Sequence, residues 1–477
     1  MVKSMEIIWP KEPGNYKLGK GIHIAIAELG DSRFDIPEEL YAIKGSIFTP
    51  NEGIVRLVRN VVSNPNIKYL VLVGEDVPGF WPGQALICLK KNGVDRDSRI
   101  IGAKGYMPYV KRLSASEIEE FRKRVEIIDL RGRELRDILK VLRALPLPPR
   151  RIPVKIINVN REYLEEARIY DNPLIIGDLI EEKTMMRIWP VVLRHIWLFG
   201  KVVENPRGRV KEVILLVSRI LNPLKDRYFT DYKWSKDELD NYVAESFLNP
   251  EKPVAAYSYG NRLFGHGRLE DVINYLRENK ETRRAVVSLW IPIEDVGSND
   301  PPCLTQIQFF IRDKRLHLIA YWRSHDMFGA APANWYGLSK LMELVSEKIG
   351  TKIGVLTTIS ASAHIYEADW GDVVRIIGKY PMDITAQPKP FVSDPKGYIL
   401  IKVSKESQRI ILEHYNSNHE LLYRITGSSA EEISHELSRH TIGLRPEHYL
   451  YIGRELIKAE LALKTNLEYK QDFPLKI

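Results

Sequence analysis

Pro301-Pro-Cys-Leu-Thr-Gln-Ile-Gln-Phe-Phe-Ile311 is followed by Arg312-Asp-Lys-Arg315 and then by Leu316-His-Leu-Ile-Ala-Tyr-Trp-Arg-Ser324. Two apolar runs, residues 304–311 and 316–324, flank a short polar stretch, the pattern of two strands joined by a tight turn. Pro301 and Pro302 fix the approach of the chain to Cys303, which opens the first strand, and Arg323 ends its partner. The pairing would set a thiol beside a guanidinium. Such a neighbour favours the thiolate and lowers the thiol pKa from its free value of about 8.5. Taken alone, a cysteine in a chain of this kind is more often a small buried hydrophobe than a nucleophile.

Outward from this hairpin, Leu338, Leu341, Met342, Val345 and Ile349 recur at helical spacing and stop at Gly350. Residues 187–200 also read as a helix. Residues 178–385 are therefore expected to form an α+β domain, a helix laid on a sheet. The first third differs: strand-like residues 22–29, 69–73, 99–103 and 125–130 alternate with helix-like residues 82–91 and 114–125. That alternation predicts an α/β domain, a parallel sheet with crossover helices, over residues 1–150. Pro146, Pro148, Pro149 and Pro153 then break the pattern, and residues 151–177 read as a linker. Ala386-Gln-Pro-Lys-Pro-Phe391 marks a second boundary. Beyond it, residues 386–477 read as a small α+β domain with strands at 398–403, 409–415 and 420–425 and helices at 430–437 and 449–463. A chain of 477 residues is in keeping with roughly three domains.

Composition narrows the class. An apolar fraction of 44% with 28% charged residues is ordinary globular usage, which argues against disorder and fibrous repeats. No apolar run approaches the roughly 18 residues a spanning helix needs, and the N-terminus lacks a signal-peptide core, so a cytoplasmic location without membrane attachment is expected. The two cysteines, Cys88 and Cys303, exclude a disulfide framework and suggest no cysteine-based metal site. A net charge of +8 suits an anionic partner. The charge is spread along the chain without a dense basic tract, so a phosphate ester is expected rather than nucleic acid.

The residues around the hairpin also carry a resemblance. Pro302-Cys303 with Gln308 and Phe309, then Tyr321-Trp-Arg323-Ser324-His-Asp326, Pro332-Ala-Asn334 and Ser362-Ala-His364-Ile-Tyr366 follow the ordered motifs of thymidylate synthases, especially the archaeal branch. Arg283-Arg284-Ala-Val-Val-Ser-Leu-Trp290 resembles the family's paired-arginine strand, and Tyr259 before Gly260 resembles its active-site tyrosine. The resemblance implies a thymidylate synthase fold and the reductive methylation of dUMP to dTMP, with Cys303 adding to C6 of the uracil. The one-carbon donor would be a reduced pterin, methylenetetrahydrofolate or methylenetetrahydromethanopterin, and no metal is implied.

By the same resemblance Arg323 and Ser324 would hold the phosphate from the protomer that supplies the cysteine. Arg283 and Arg284 would reach in from its partner, making the enzyme a homodimer. Asn334 would read uracil, since an amide accepts from N3–H and donates to O4. Read alone, Asn334 is more often a helix N-cap and the arginine pair a solvated surface. Asp326 would bond the pterin ring, and His364 with Tyr366 would hold the deoxyribose hydroxyl; their ordinary readings are a turn residue and two strand residues. Leu304 stands where bacterial members have histidine, and the family's ordered-water glutamate has no recognisable match, Glu238 and Glu245 being the substitutes considered. The N-terminal phosphate arginine falls to Arg207 or Arg209.

The flanks carry their own resemblances. Asn64-Pro-Asn-Ile-Lys-Tyr-Leu-Val-Leu-Val-Gly74, Gly83-Gln-Ala-Leu86, Asn92-Gly93 and Arg99-Ile-Ile-Gly-Ala-Lys-Gly105 resemble the cobamide-binding subunit of tetrahydromethanopterin S-methyltransferase. That protein holds the cobamide through a histidine, but Gly79-Phe80-Trp81-Pro82-Gly83 places a phenylalanine there. Phenylalanine cannot donate to cobalt, so cobamide is not expected and a pterin-related or scaffolding role is. The tail, with Glu447-His448, Tyr451-Ile-Gly453-Arg454-Glu455 and Lys458-Ala-Glu460, resembles a small domain that accompanies archaeal synthases; whether His448 or Arg454 meets a pterin stays open. Two other functions fit parts of the pattern: a deoxypyrimidine-nucleotide hydroxymethylase, which traps the same intermediate with water, and a non-catalytic nucleotide or pterin sensor, which has no need of a thiolate.

Overall fold

The computed structural model describes residues 7–30, 32–149, 151–157, 176–205, 207–251, 253, 257–380, 394, 396–440 and 446–475. The chain divides into two compact units, Met1–Pro381 and Met382–Ile477. The expected boundary at residues 386–391 lies outside the described residues, as do residues 158–175 of the expected linker.

The first sheet has five strands: β1 (Tyr16–Leu18), β2 (Ile24–Leu29), β3 (Ile43–Ile47), β4 (Tyr69–Gly74) and β5 (Glu126–Arg131), in the order β1-β3-β2-β4-β5. β2 to β5 pair in parallel, and only the edge strand β1 runs antiparallel. Every residue of β2 and β4 is buried, because helices cover both faces. Helix α1 (Glu52–Val62) buries Ile54, Val55, Val58 and Val61 on one side of the sheet, while α2 (Leu135–Ala144) buries Ile138 and Leu142 on the other. The strand expected at residues 99–103 does not form. Gly102 has φ +82° and turns the chain, leaving only isolated bridges at Val94–Ile100 and Arg99–Tyr109. The proline-rich stretch after α2 is pinned to this domain: Asn66 holds both the N–H and the carbonyl of Ile152, and Lys155–Ile156 pairs with Ile8–Trp9.

In the rest of this unit an eight-stranded mixed sheet carries the hairpin. Its main path comprises β6 (Ile176–Glu182), β8 (Gly208–Ile220), β9 (Val286–Ser288), β10 (Leu304–Arg312), β11 (Arg315–Trp322) and β13 (Lys352–Tyr366), in the order β9-β10-β11-β13-β8-β6. β7 (Lys201–Asn205) pairs with β8, and β12 (His325–Asp326) with β13. The β10–β11 turn is the tight one expected, with Asp313 at φ +50° and Lys314 at φ +58°, the backbone sense that matches strand twist. Leu304, Ile307, Phe309 and Ile311 of β10 and Leu316, Leu318, Ala320 and Trp322 of β11 face the core. Helices α3 (Met185–Phe199) and α4 (Ala331–Ile349) bury their apolar sides in the same cluster, and α4 ends at Gly350 in the left-handed region.

The second unit is a three-stranded antiparallel sheet, Tyr398–Ser404, Arg409–Tyr415 and Leu421–Gly427, with helices Ala430–His440 and Pro446–Thr465. Ile401, Leu412, Ile433 and Leu456 belong to its core. Glu413, gripped by Lys402 and Arg424, is held down at a pKa of about 2.

Gly337 marks the tightest contact of α4. A Cβ there would meet the ring of Phe247 at 2.6 Å, and Phe247 is fully buried. Alanine gains about 1 kcal/mol in helix propensity, whereas overpacking a rigid ring costs about 1–3 kcal/mol. Gly337→Ala is therefore expected to lower Tm in thermal denaturation; a rise would mean that Phe247 yields.

Candidate active site

The register Leu304–Trp322 sets the ends of the hairpin side by side, so the Arg323 N–H donates to the Cys303 carbonyl at 3.0 Å. The guanidinium then folds back on the same loop. Its Nε and Nη2 donate to the carbonyls of Pro302 and Pro301 at 2.9 and 2.8 Å, and Nη2 lies 3.9 Å from Cys303 Sγ. Both side chains line a cavity of about 670 Å3. The expectation of a net lowered thiol pKa does not hold. Burial of the sulfur pushes it up, with Asp300 adding to the rise, and outweighs the lowering by Arg323 and Arg207.

The other walls follow from strand periodicity and helix spacing. Ser362, His364 and Tyr366 alternate along the end of β13 and so share a face; all three line the cavity. Ala330, Ala333 and Asn334 reach it from the start of α4. Ser324 and Asp326 follow Arg323, and Tyr259 closes one side, its ring edge-on to Trp322 at 5.7 Å. Gly260 after it has no room for a side chain, since a Cβ would sit 2.1 Å from the Asn249 carbonyl oxygen. Arg283 and Arg284 do not join this group. They lie exposed just before the edge strand β9, away from the cavity of their own chain.

Asn334 is not the N-cap of its helix; Ala330 occupies that place. Its side chain belongs to a buried polar chain. Tyr242 OH donates to Asn334 Oδ1 at 3.0 Å, Asn334 Nδ2 meets His325 Nε2 at 3.4 Å, and His325 Nδ1 meets Ser360 Oγ at 2.9 Å. An amide nitrogen only donates, so His325 Nε2 accepts and Nδ1 carries the proton. Burial, with His364 nearby, lowers the pKa of His325 to about 3, which keeps the ring neutral as this chain requires. Stacked on Trp322 at 4.2 Å, the ring cannot turn freely, and the orientation of the Asn334 amide is set. Each end of that amide keeps one hydrogen-bonding position for a ligand.

Glu212 is the cavity carboxylate that sequence reading missed. It pairs with His364 across β8 and β13 and accepts from Ser362 Oγ, which in turn lies 3.1 Å from His364 Nδ1. Its signal was a charged pair, Lys211 and Glu212, set between Val210 and Val213. Burial brings His364 down to about 4 and raises Tyr366 to about 12, so both are neutral near pH 7. Asp326 accepts from the N–H groups of Phe328 and Gly329 at 3.1 and 2.8 Å. Burial and the nearby Asp369 carry its pKa up to about 6. Neither substitute for the missing glutamate lies here: Glu238 caps the helix Lys236–Tyr242 and binds Lys111, and Glu245 is exposed. Of the two phosphate candidates, Arg207 lines the cavity, whereas Arg209 is held in a forked pair by Glu367.

Among the described residues no group of three or more His, Cys, Asp or Glu side chains has the geometry to hold a metal ion, and no helix is long and apolar enough to cross a membrane. In the first domain Phe80 packs edge-on to Tyr106 and offers no donor, so this position does not fit a cobamide.

Comparison with known proteins gives three family matches, and the synthase match runs past the expected boundary at residues 386–391. The family model described as thymidylate synthase matches residues 230–425, that for a tetrahydromethanopterin S-methyltransferase subunit residues 2–143, and that described as PterinBD-DUF4346 residues 393–472. A Methanosarcina mazei protein named "Putative thymidylate synthase" is 40% identical over 212 residues, 43% of this chain and 98% of the relative. A Methanopyrus kandleri protein of the same name is 33% identical over 202 residues, 41% of this chain and 96% of the relative. A tetrahydromethanopterin S-methyltransferase subunit of Methanothermobacter thermautotrophicus is 40% identical over 125 residues, 26% of this chain and 68% of the relative. The synthase-family match and the relatives of that name mark this chain as a methyltransferase. The chain belongs to the thymidylate synthase family.

The raised thiol pKa has a direct readout. Alkylation of Cys303 by neutral iodoacetamide, followed on its peptide by mass spectrometry, is expected to be slower at pH 7 than that of free cysteine and to climb beyond pH 9. Arg323→Met should slow it further, because it removes the group that favours the thiolate. Faster alkylation than free cysteine at pH 7 would contradict this.

Proposed function

We propose that this enzyme converts dUMP to dTMP with a methylene-carrying reduced pterin. The observation that carries the reading is the 3.9 Å approach of Arg323 Nη2 to Cys303 Sγ inside a cavity whose far wall is the oriented amide of Asn334. Sulfur adds to C6 of the uracil, losing its proton as the bond forms, and electron density moves onto C5 and O4. Asn334 receives the base: its remaining Nδ2–H donates to O4, where charge builds, and its free Oδ1 lone pair accepts from N3–H. His325, neutral, keeps that amide from flipping. C5 then attacks the methylene carbon; loss of the C5 proton breaks that carbon's bond to the pterin nitrogen and leaves an exocyclic methylene, and hydride from the freed tetrahydropterin adds to it as the thiolate is expelled, giving dTMP and a dihydropterin.

The remaining groups divide between phosphate, sugar and carrier. Arg207, Arg323 and Ser324 take the phosphate, His364 and Tyr366 the deoxyribose hydroxyl, with Ser362 and Glu212 steadying His364. Asp326 receives the pterin ring, and Tyr259 packs beside the reacting sulfur. Arg283 and Arg284 serve a second copy of the chain. Val286 and Tyr321, 37% and 41% exposed on the mixed sheet, leave apolar surface that such a copy could cover.

Release of tritium from C5-labelled dUMP, with methylenetetrahydrofolate and methylenetetrahydromethanopterin in turn, tests the reaction. Release with dTMP as product, lost in Cys303→Ala, is the expected result. A hydroxymethylated nucleotide in its place would name the hydroxymethylase instead, and no release with either carrier would sink the catalytic reading. Shared sites have their own signature: mixing inactive Cys303→Ala with inactive Arg284→Ala protomers should restore part of the activity, up to about a quarter at equal amounts if protomers exchange randomly. Absence of any recovery after verified exchange would place Arg284 outside the site.

A further inference from the structure

Polar side chains at the end of β13 meet one from β8. Glu212 stands opposite His364 in the strand register and Ile214 opposite Ser362, so the Glu212, Ser362 and His364 side chains share one face of the sheet. Ser362 Oγ donates to Glu212 Oε1 and lies 3.1 Å from His364 Nδ1. Tyr366, next on the same face, sets its ring edge-on to that of His364 at 5.1 Å. All of them line the cavity that holds Cys303.

Counting protons fixes the state of the ring. A hydroxyl has a single hydrogen, and that of Ser362 goes to Glu212, because a carboxylate only accepts. Ser362 Oγ therefore turns a lone pair to His364 Nδ1, and Nδ1 has to carry the ring proton. Burial lowers His364 to about 4, so near pH 7 the ring is neutral and its other nitrogen, Nε2, is a bare acceptor. No described residue bonds Nε2, and it is not among the polar atoms sealed in the interior without a partner, so it opens on the cavity. The Tyr366 phenol, raised to about 12, stays protonated; its oxygen meets Arg207, which only donates, so its hydrogen is left for a ligand.

An acceptor and a donor side by side fit a hydroxyl, which gives its hydrogen to Nε2 and takes one from Tyr366. A plain C–H in that place leaves Nε2 unpaired, and a phosphate ester has almost no proton to give it near pH 7. Charge does not decide the case, since Arg207 lies close enough to the ring to offset Glu212.

We infer that Glu212 is a positioning residue: acting through Ser362, it fixes His364 as the Nδ1–H tautomer and so makes the site specific for a nucleotide whose 3′ carbon bears a free hydroxyl. The inference rests on the reading of His364 and Tyr366 as the deoxyribose contacts, and extends it to what is refused: 3′-deoxy analogues, 3′-phosphates and nucleotides within a polynucleotide. Without the carboxylate, the Ser362 hydrogen can turn to Nδ1 and the ring proton moves to Nε2. Two donors then face the sugar hydroxyl, whose own hydrogen finds no acceptor.

Measurements on the full chain test this without turnover. Equilibrium binding would compare dUMP with 2′,3′-dideoxyuridine 5′-monophosphate and 2′-deoxyuridine 3′,5′-bisphosphate. dUMP is expected to bind at least about ten-fold more tightly than either, a difference of roughly 1.4 kcal/mol. Glu212→Gln keeps the size of the side chain but can donate to Ser362, and should narrow that gap several-fold by weakening dUMP alone. Ser362→Ala should do the same, whereas Ser362→Thr, which keeps the hydroxyl, should restore the gap. Nitrogen-15 spectra of imidazole-labelled protein, with His364 assigned through His364→Asn, should show a neutral Nδ1–H ring in the parent and a larger Nε2–H share in Glu212→Gln. An Nε2–H ring in the parent, equal affinity for dUMP and its dideoxy analogue, or an unchanged gap in Glu212→Gln overturns the inference. Failure of all three nucleotides to bind would instead sink the nucleotide reading on which it rests.

Discussion

The pairing of β10 with β11 is the constraint on which the cavity depends. A register shift of one residue would turn Leu304, Ile307, Phe309 and Ile311 from the core to the outer face, so burial holds the hairpin in one alignment. With that alignment, the residue before one strand and the residue after the other have to meet. Cys303 and Arg323 are those residues. The left-handed conformation of both Asp313 and Lys314 at the far end is the local cost of a turn tight enough to keep the strands in step.

Burial governs the electrostatics of the cavity more than any single charge does. Cys303 sits beside a guanidinium, yet its thiol is pushed up, and His325, His364 and Tyr366 are all held in their neutral forms. A site of neutral, mutually oriented hydrogen-bonding groups suits a pyrimidine edge, where donor and acceptor pattern decides the match. Burial likewise favours the protonated form of the Cys303 thiol.

The chain fuses three modules, and the first two meet along a cleft that neither would possess alone. The ion pairs Arg56–Asp369 and Lys111–Glu238 both join residues of the first domain to the synthase part. Arg56–Asp369 is the more buried of the two, so much of its attraction is offset by lost hydration, and Lys111–Glu238 is the more exposed.

Much of this was legible in the residues. The hairpin could be read because alternating apolar residues around a polar turn have few other ways to pack, and α4 because its apolar spacing ends at Gly350. The order of motifs from Cys303 to Tyr366 named the family that the comparisons bear out. What sequence alone did not decide depends on neighbours far along the chain. Arg207 and Arg209 are two residues apart and equivalent on paper; only the position of Glu367 commits one and leaves the other in the cavity. Glu212 becomes a site residue because β8 lies against β13, and Asn334 leaves its capping role because α4 begins earlier, at Ala331. The direction of the Cys303 shift likewise follows from how much water the folded protein removes from the sulfur, a sum over every surrounding element that no local stretch of sequence encodes.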